Sequence, residues 1–210
     1  MVVYATEKSA INSLEEAFKA KKPIRWLALN IGSLGEVATR ILLEEYGASY
    51  DKLKAWGGSV INTEWPNIAT ALKDGRGDIV SHNVGIGHPS MTEISLMAPG
   101  HFLDLRESAR NLLVKEYGWD KVDMPANTFK NQPKALKTIA VYFTIIASAD
   151  LPDEIGYLLA KVLAEERQEL IKGHKAFGAV SVEASCQPGK YGAPIHPGAE
   201  RYYREQGWIK

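Results

Sequence analysis

Short apolar runs alternate with segments whose apolar residues recur every three or four positions, the pattern of strands feeding helices in an α/β domain with a largely parallel sheet. Ile24 to Leu29 reads as a buried strand. Ser33 to Tyr46 reads as a helix, with Ser33 and Glu36 in capping-box spacing and Gly47 as its stop. Before them, Ser13-Leu-Glu-Glu16 is a capping box opening a short amphipathic helix that Pro23 closes off. Leu53 to Trp56 reads as a second strand, Thr63 to Asp74 as a helix ended by Gly75, and Asp78 to His82 as a further strand. A turn through Gly85-Ile-Gly87 then leads to a helix from Pro89 to Met97.

Phe102 to Leu105 has the length of an edge strand, and Arg106 to Tyr117 is a helical pattern ended by Gly118. The polar stretch Asp120 to Lys137 holds Pro125 and Pro133, as expected of a connection between lobes. Thr138 to Ala147 is the longest β-prone run. Asp150-Leu-Pro152 signals a helix start with Asp150 as its cap, and apolar residues from Ile155 to Ile171 keep helical spacing up to Gly173. A Gly/Pro-containing loop over Gly178 to Pro197 precedes a last helix, with Pro197 in its first turn and Gly207 as a left-handed stop.

Composition narrows the class. Among 210 residues, 25 basic side chains balance 25 acidic ones, and no Lys/Arg stripe interleaves with aromatics, which argues against a nucleic-acid partner. No apolar run reaches the ~18 residues of a membrane span. The opening Met1-Val-Val-Tyr-Ala-Thr-Glu-Lys8 has neither the basic start nor the apolar stretch of a secretory signal. Cys186 is the only cysteine; it reads as a small packing residue near a loop. Catalytic motifs are missing as well: there is no nucleophile elbow, zinc-ligand spacing or dinucleotide fingerprint. Arg76-Gly-Asp78 matches an adhesion tripeptide but falls at a helix-to-strand turn.

The chemistry concentrates at strand-to-helix turns. In Asn30-Ile-Gly-Ser-Leu-Gly-Glu36 the first helical amides are unpaired at a positive dipole end, and glycine lets a ligand approach the backbone, so Asn30, Gly32, Ser33, Leu34 and Gly35 are candidates for binding a carboxylate. An ordinary tight turn with a serine cap fits the same residues. Glu36 also opposes an anion there if its carboxylate folds back onto the cap. Trp56 and Gly57 offer a second candidate, an aromatic wall beside glycine amides, with a core tryptophan followed by a turn as the other reading. Asn83, Gly85 and His88 flank a third turn and can donate to a ligand, whereas His82 reads as a strand end.

His196-Pro-Gly-Ala-Glu-Arg-Tyr-Tyr-Arg-Glu-Gln-Gly207 resembles the C-terminal signature of TAXI-type solute receptors, the extracytoplasmic subunits of TRAP transporters. Gly32-Ser33-Leu34-Gly35 stands where that family has a Gly-Ser-Gly-Thr element that helps bind the solute; Gly32 and Ser33 match, while Leu34 and Gly35 depart from it. Ser9 to Glu16, Leu72 to Ile79, Gly85 to Pro89 and Ala149 to Glu154 are similar to further blocks in the family's order, so the resemblance spans most of the chain. Tripartite tricarboxylate-binding proteins, relatives in architecture, also carry an aromatic followed by glycines near Trp56.

The resemblance implies a periplasmic-binding-protein type II-like α/β fold, with one fairly complete lobe over 28–130. Part of a second lobe comes from a strand and helix lead-in over 1–27 and a return segment with C-terminal helices over 131–210. It implies a non-catalytic protein without cofactor or metal, binding a small organic anion (a dicarboxylate or an acidic amino acid) outside the cytoplasm for a TRAP-type membrane permease. It further implies an N-terminal lobe portion that nothing in this chain resembles. Self-association or a separately supplied N-terminal lobe is therefore expected to cover an apolar face of the 153–172 helix and an unpaired edge of the 138–147 strand. On the same fold, the alternatives are the cytoplasmic effector-binding domain of a regulator and a pyrimidine-synthase-like enzyme.

Overall fold

A computed structural model describes residues 1–142, 144–173, 177–178, 180–187 and 193–210. The chain forms two compact units, Met1–Val141 and Tyr142–Lys210.

The first unit is built on a five-stranded sheet of β1 (Val2–Thr6), β2 (Arg25–Ala28), β3 (Ser59–Asn62), β4 (Ile79–His82) and β5 (Gly100–Phe102), in the order β3-β2-β4-β1-β5. β2 runs parallel to β3 and β4, and β1 is antiparallel to both β4 and β5. Every residue of β1 is buried, because both faces of the sheet are covered. Alternation along the strands divides the core. Val3, Ala5, Trp26, Ala28 and Ile79 face one apolar cluster with α1 (Leu14–Lys19), α2 (Leu34–Glu45), α3 (Tyr50–Ala55) and α6 (Glu107–Tyr117). Val2, Tyr4, Leu27 and Val80 face the other, with α4 (Trp65–Lys73) and α5 (Pro89–Met97). The result is a three-layer, parallel-rich α/β fold of the periplasmic-binding-protein kind.

Several elements differ from the sequence expectation. Leu53 to Ala55 is helical, with Trp56 as the C-cap: the Ser49 hydroxyl caps α3 through the Lys52 amide at 3.2 Å and Leu53 is the helix's buried residue, so the strand begins only at Ser59. The edge strand starts at Gly100, two residues earlier than expected, and Leu103 still donates to the Val3 carbonyl at 2.9 Å. The polar 120–137 stretch is no open connection. It forms a hairpin of β6 (Asp120–Met124) and β7 (Leu136–Ala140), and buried Gln132 closes its loop by donating to the Pro125 carbonyl at 2.9 Å and the Lys134 carbonyl at 3.0 Å. Arg110, 6% exposed, ties α6 to this hairpin through the Thr138 carbonyl at 2.9 Å and Asp123 at 3.0 Å. The β-prone run to Ala147 holds strand only as far as Ala140, with Phe143 outside the described residues. The first unit therefore runs through the boundaries read at 27/28 and 130/131 and closes at Val141, with β1 inside its sheet.

The second unit contains α7 (Asp153–Glu165), α8 (Arg167–Gly173), α9 (Val182–Ser185) and α10 (Pro197–Glu205). Pro152, not Asp150, occupies the cap position of α7, and the helical spacing read as one helix to Gly173 is two helices meeting at Glu166. The 178–197 loop includes α9; its residues 179 and 188–192 lie outside the described residues. Cys186 is buried, its thiol donating to the Glu183 carbonyl at 3.1 Å.

The C-terminal signature is a packing device. His196 caps α10, its Nδ1 accepting the Gly198 amide at 3.2 Å and its Nε2 reaching the Leu151 carbonyl at 3.0 Å. Its ring lies on Gly156 of α7, and Gly198 lies on the Asp153 carbonyl, where any Cβ would collide. Arg201 clamps Glu154 with two bonds of 3.0 and 2.9 Å and covers the Tyr157 ring. The apolar stripe Ile155, Leu158, Leu159 and Val162 on α7 stands 42–52% exposed. No helix among the described residues is long and apolar enough to cross a membrane.

Candidate functional site

The chain leaves β2, turns through residues 29–33 and enters α2. Ser33 is extended (φ −71, ψ 153), its Oγ accepting the Glu36 amide at 3.3 Å, while the Glu36 carboxylate turns back to accept the Gly32 amide at 3.1 Å. This is a variant of the capping box in which the carboxylate reaches the residue before the cap, while the Ser33 amide donates to the Asn30 carbonyl at 3.0 Å. Glu36 is only 1% exposed and also accepts from Arg40 Nε at 2.7 Å. Burial alone would raise this carboxyl; the Arg40 hydrogen bond and the Gly32 amide outweigh it and hold it below the usual carboxylate range. The Gly32 amide is thereby taken. The amides of Leu34 and Gly35, the first two of α2, have no partner among the described residues.

A buried relay fixes where this helix start sits. Trp26 Nε1 donates to Ser81 Oγ at 3.0 Å, the Ser81 and Thr39 hydroxyl oxygens are 2.6 Å apart, and Thr39 Oγ1 donates to the Gly35 carbonyl at 2.7 Å. Because the single Thr39 hydroxyl proton is spent on Gly35, Ser81 must donate to Thr39, and the chain runs in one direction from Trp26 to Gly35. All three side chains belong to fully buried residues. They tie the middle of the sheet to the first turn of α2.

β4 ends at His82, whose ring lies directly on Gly35; a Cβ at residue 35 would enter the imidazole. Glycine is required there for close approach, which is why Gly35 departs from the pattern the resemblance suggests. Trp65, the first residue of α4, packs edge-on to His82 with centroids 5.0 Å apart and lies 5.7 Å from the His88 ring, and the two imidazoles are 6.2 Å apart. Burial, and after it the neighbouring His88, push His82 down to about 4, so it is a neutral imidazole at neutral pH. His82 Nδ1 and Asn83 Oδ1 are buried and unpartnered, while Asn83 Nδ2 points at the Leu34 carbonyl 3.5 Å away. Among the described residues no third metal-ligating side chain joins the two histidines.

Asn30, Gly32, Ser33, Leu34 and Gly35 thus lie on the β2–α2 turn, and Asn83, Gly85 and His88 on the β4–α5 turn. β2 and β4 are parallel neighbours, so both turns emerge at the carboxyl end of the sheet. Trp56 and Gly57 are not brought to them. Arg25 pairs with Ser59 and Ala28 with Asn62, which leaves Trp56 at the amino end, about 13 Å away at the rise of an extended strand. There Trp56 packs on Phe18 at 5.9 Å, and Gly57 (φ 85) turns the chain from α3 into β3. His82 and Trp65 belong to the cluster without any local sequence signal; the glycine at residue 35 is the one trace of a ring packed on the helix start. Asp78, of the adhesion-like tripeptide, is engaged by the Arg25 guanidinium at 2.6 and 3.0 Å. Of the depressions elsewhere, the one beside Ala10 holds Lys22 bonded to the Ser9 and Ala10 carbonyls, and the one along α10 holds Arg201 and Arg204 paired with Glu154 and Glu200.

A family model described as NMT1-like matches residues 3–207. The chain belongs to the NMT1-like family. That family is related to the periplasmic binding proteins, which makes the chain a solute-binding protein of that type, and its members are typically extracytoplasmic. The site at the carboxyl ends of parallel strands agrees with where open α/β sheets bind ligands.

Proposed function

We propose that this protein is a TAXI-type receptor that captures a small organic anion outside the cytoplasm and hands it to a TRAP-type permease, making and breaking no bond. The observation that carries the reading is the pair of amides at Leu34 and Gly35, without partners among the described residues and next in the chain to Ser33, on the turn that the TAXI resemblance associates with the solute. Glu36 does fold back onto the cap, but its charge is matched by Arg40, so it leaves two amides for the anion. The C-terminal His196 to Gly207 signature supports the TAXI assignment, and dicarboxylates or acidic amino acids are the solutes the resemblance favours.

Native mass spectrometry of the purified protein identifies the molecule it carries, and calorimetry with that molecule tests the site. Ser33→Pro and Gly35→Asp are expected to abolish binding, the first by disturbing the turn and the second by driving a Cβ into the His82 ring while adding charge beside the amides. Unchanged affinity in both removes this turn from the function.

A further inference from the structure

The second unit has little apolar core of its own: among its described residues the buried apolar side chains are Ala160, Cys186, Tyr202 and Ile209. α7 buries its small residues, Gly156 and Ala160, and leaves its large ones out. Ile155, Leu158, Leu159 and Val162 recur at i, i+3, i+4 and i+7, so they form one continuous stripe, 42–52% exposed. A helix of a globular unit ordinarily does the reverse, and an apolar stripe rimmed by charge marks an interface. The stripe is symmetric about the midpoint between Leu158 and Leu159. An antiparallel α7 of a second copy, related by a two-fold axis, therefore sets each Leu158 and each Leu159 against its own counterpart and Ile155 against Val162. The flank favours the same direction. Glu154 and Lys161, seven residues and so about two turns apart, border the stripe on one side. Lys161 reaches Glu165 only at 4.0 Å, and the Glu154 side chain stays 78% exposed although Arg201 holds it. Antiparallel packing brings each Lys161 to the Glu154 of the other copy and opposes the helix dipoles, whereas parallel packing does neither.

We propose that α7 is a self-association face: two copies of this chain pair through antiparallel α7 stripes, flanked by two Lys161–Glu154 ion pairs. The pairing is independent of what the β2–α2 turn binds. One helix face is smaller than the ~800 Å² per partner of a standard interface, so the dimer is weak and reversible, with a Kd of the order of 10 µM.

Sedimentation velocity of the full chain across about 1–300 µM tests it, with a monomer–dimer equilibrium as the expected result. Leu158→Glu should weaken the dimer by at least about tenfold, and Lys161→Glu, which sets like charges against Glu154, by about threefold or more, while Leu112→Glu on α6 leaves it unchanged. Helical circular dichroism should stay the same in all three, because none of these side chains is buried. With Cys186 buried, Leu158→Cys should oxidise to a disulfide-linked dimer, whereas Ile155→Cys, about 10 Å along the helix from its own counterpart, should not. A chain that stays monomeric throughout, its stripe reserved for a different polypeptide, overturns the proposal. So does a dimer indifferent to Leu158→Glu, and equal cross-linking of the two cysteine variants overturns the antiparallel pairing.

Discussion

Ser81→Ala probes the relay that positions the helix start. The substitution leaves the Trp26 N–H, on a residue with no exposed surface, without an acceptor, and removes the proton that Thr39 Oγ1 accepts. An orphaned buried donor costs about 1–3 kcal/mol and a lost neutral hydrogen bond about 1 kcal/mol, which together give about 2–4 kcal/mol. With a urea dependence of about 2 kcal/mol per molar, the midpoint should fall by roughly 1–2 M. Tryptophan fluorescence in a Trp208→Phe background follows the first unit, since Trp26, Trp56, Trp65 and Trp119 all lie in it. Thr39→Val should also destabilise, by orphaning the Ser81 proton. The double variant leaves only the Trp26 N–H unmet, because the Gly35 carbonyl keeps its helical partner, so it should cost less than the sum of the singles by about 1 kcal/mol or more. A Ser81→Ala cost below about 0.5 kcal/mol, or strict additivity, refutes the relay as the fixture of this turn.

The depressed His82 makes stability pH-dependent: with a folded value of about 4 against about 6.5 unfolded, the unfolded chain binds more protons, so stability is full above about pH 6.5 and declines as pH falls towards 4. Reduced for partial exposure, the loss should be about 1–2 kcal/mol, and His82→Phe should flatten it in urea titrations at pH 7 and pH 5; parallel slopes refute the linkage. Asp78 is pushed up by burial but held below its ordinary value by the Arg25 hydrogen bonds, so its contribution is present above the normal carboxyl range and lost as pH falls through the lowered folded value. Asp78→Asn should cost about 1–3 kcal/mol at pH 7, and the deficit should vanish in acid; a pH-independent deficit removes the charge from the explanation. Gly198→Ala forces a Cβ onto the Asp153 backbone and should destabilise the second unit by about 1–3 kcal/mol, whereas Gly173→Ala, with open space around it, should be neutral or better. Equal helical melting temperatures in the two variants refute close α7–α10 packing.

Local chemistry determined much of this protein. Ser33 with Glu36, Pro89, Gly118, and Pro197 with Gly207 each act within one turn of backbone, so α2, α5, α6 and α10 are legible from the chain, as are the buried strands of Ile24 to Leu29 and Asp78 to His82. Leu53 to Trp56 was not, because a four-residue stretch with apolar residues at Leu53, Ala55 and Trp56 suits strand and helix alike and the Ser49 cap decides between them. The hairpin over 120–140 escaped because its polar composition conceals Gln132 and Arg110, whose partners come from the folded loop and from α6. Half of the candidate site was visible as two glycine-containing turns. Their meeting is a tertiary decision: the sheet order places β4 beside β2 while β3, between them in sequence, goes to the edge. That order brings His82 onto Gly35 and Trp65 onto both imidazoles, and sends Trp56 to the opposite end, since strand pairing fixes which turns share a rim and no periodicity along the chain encodes it.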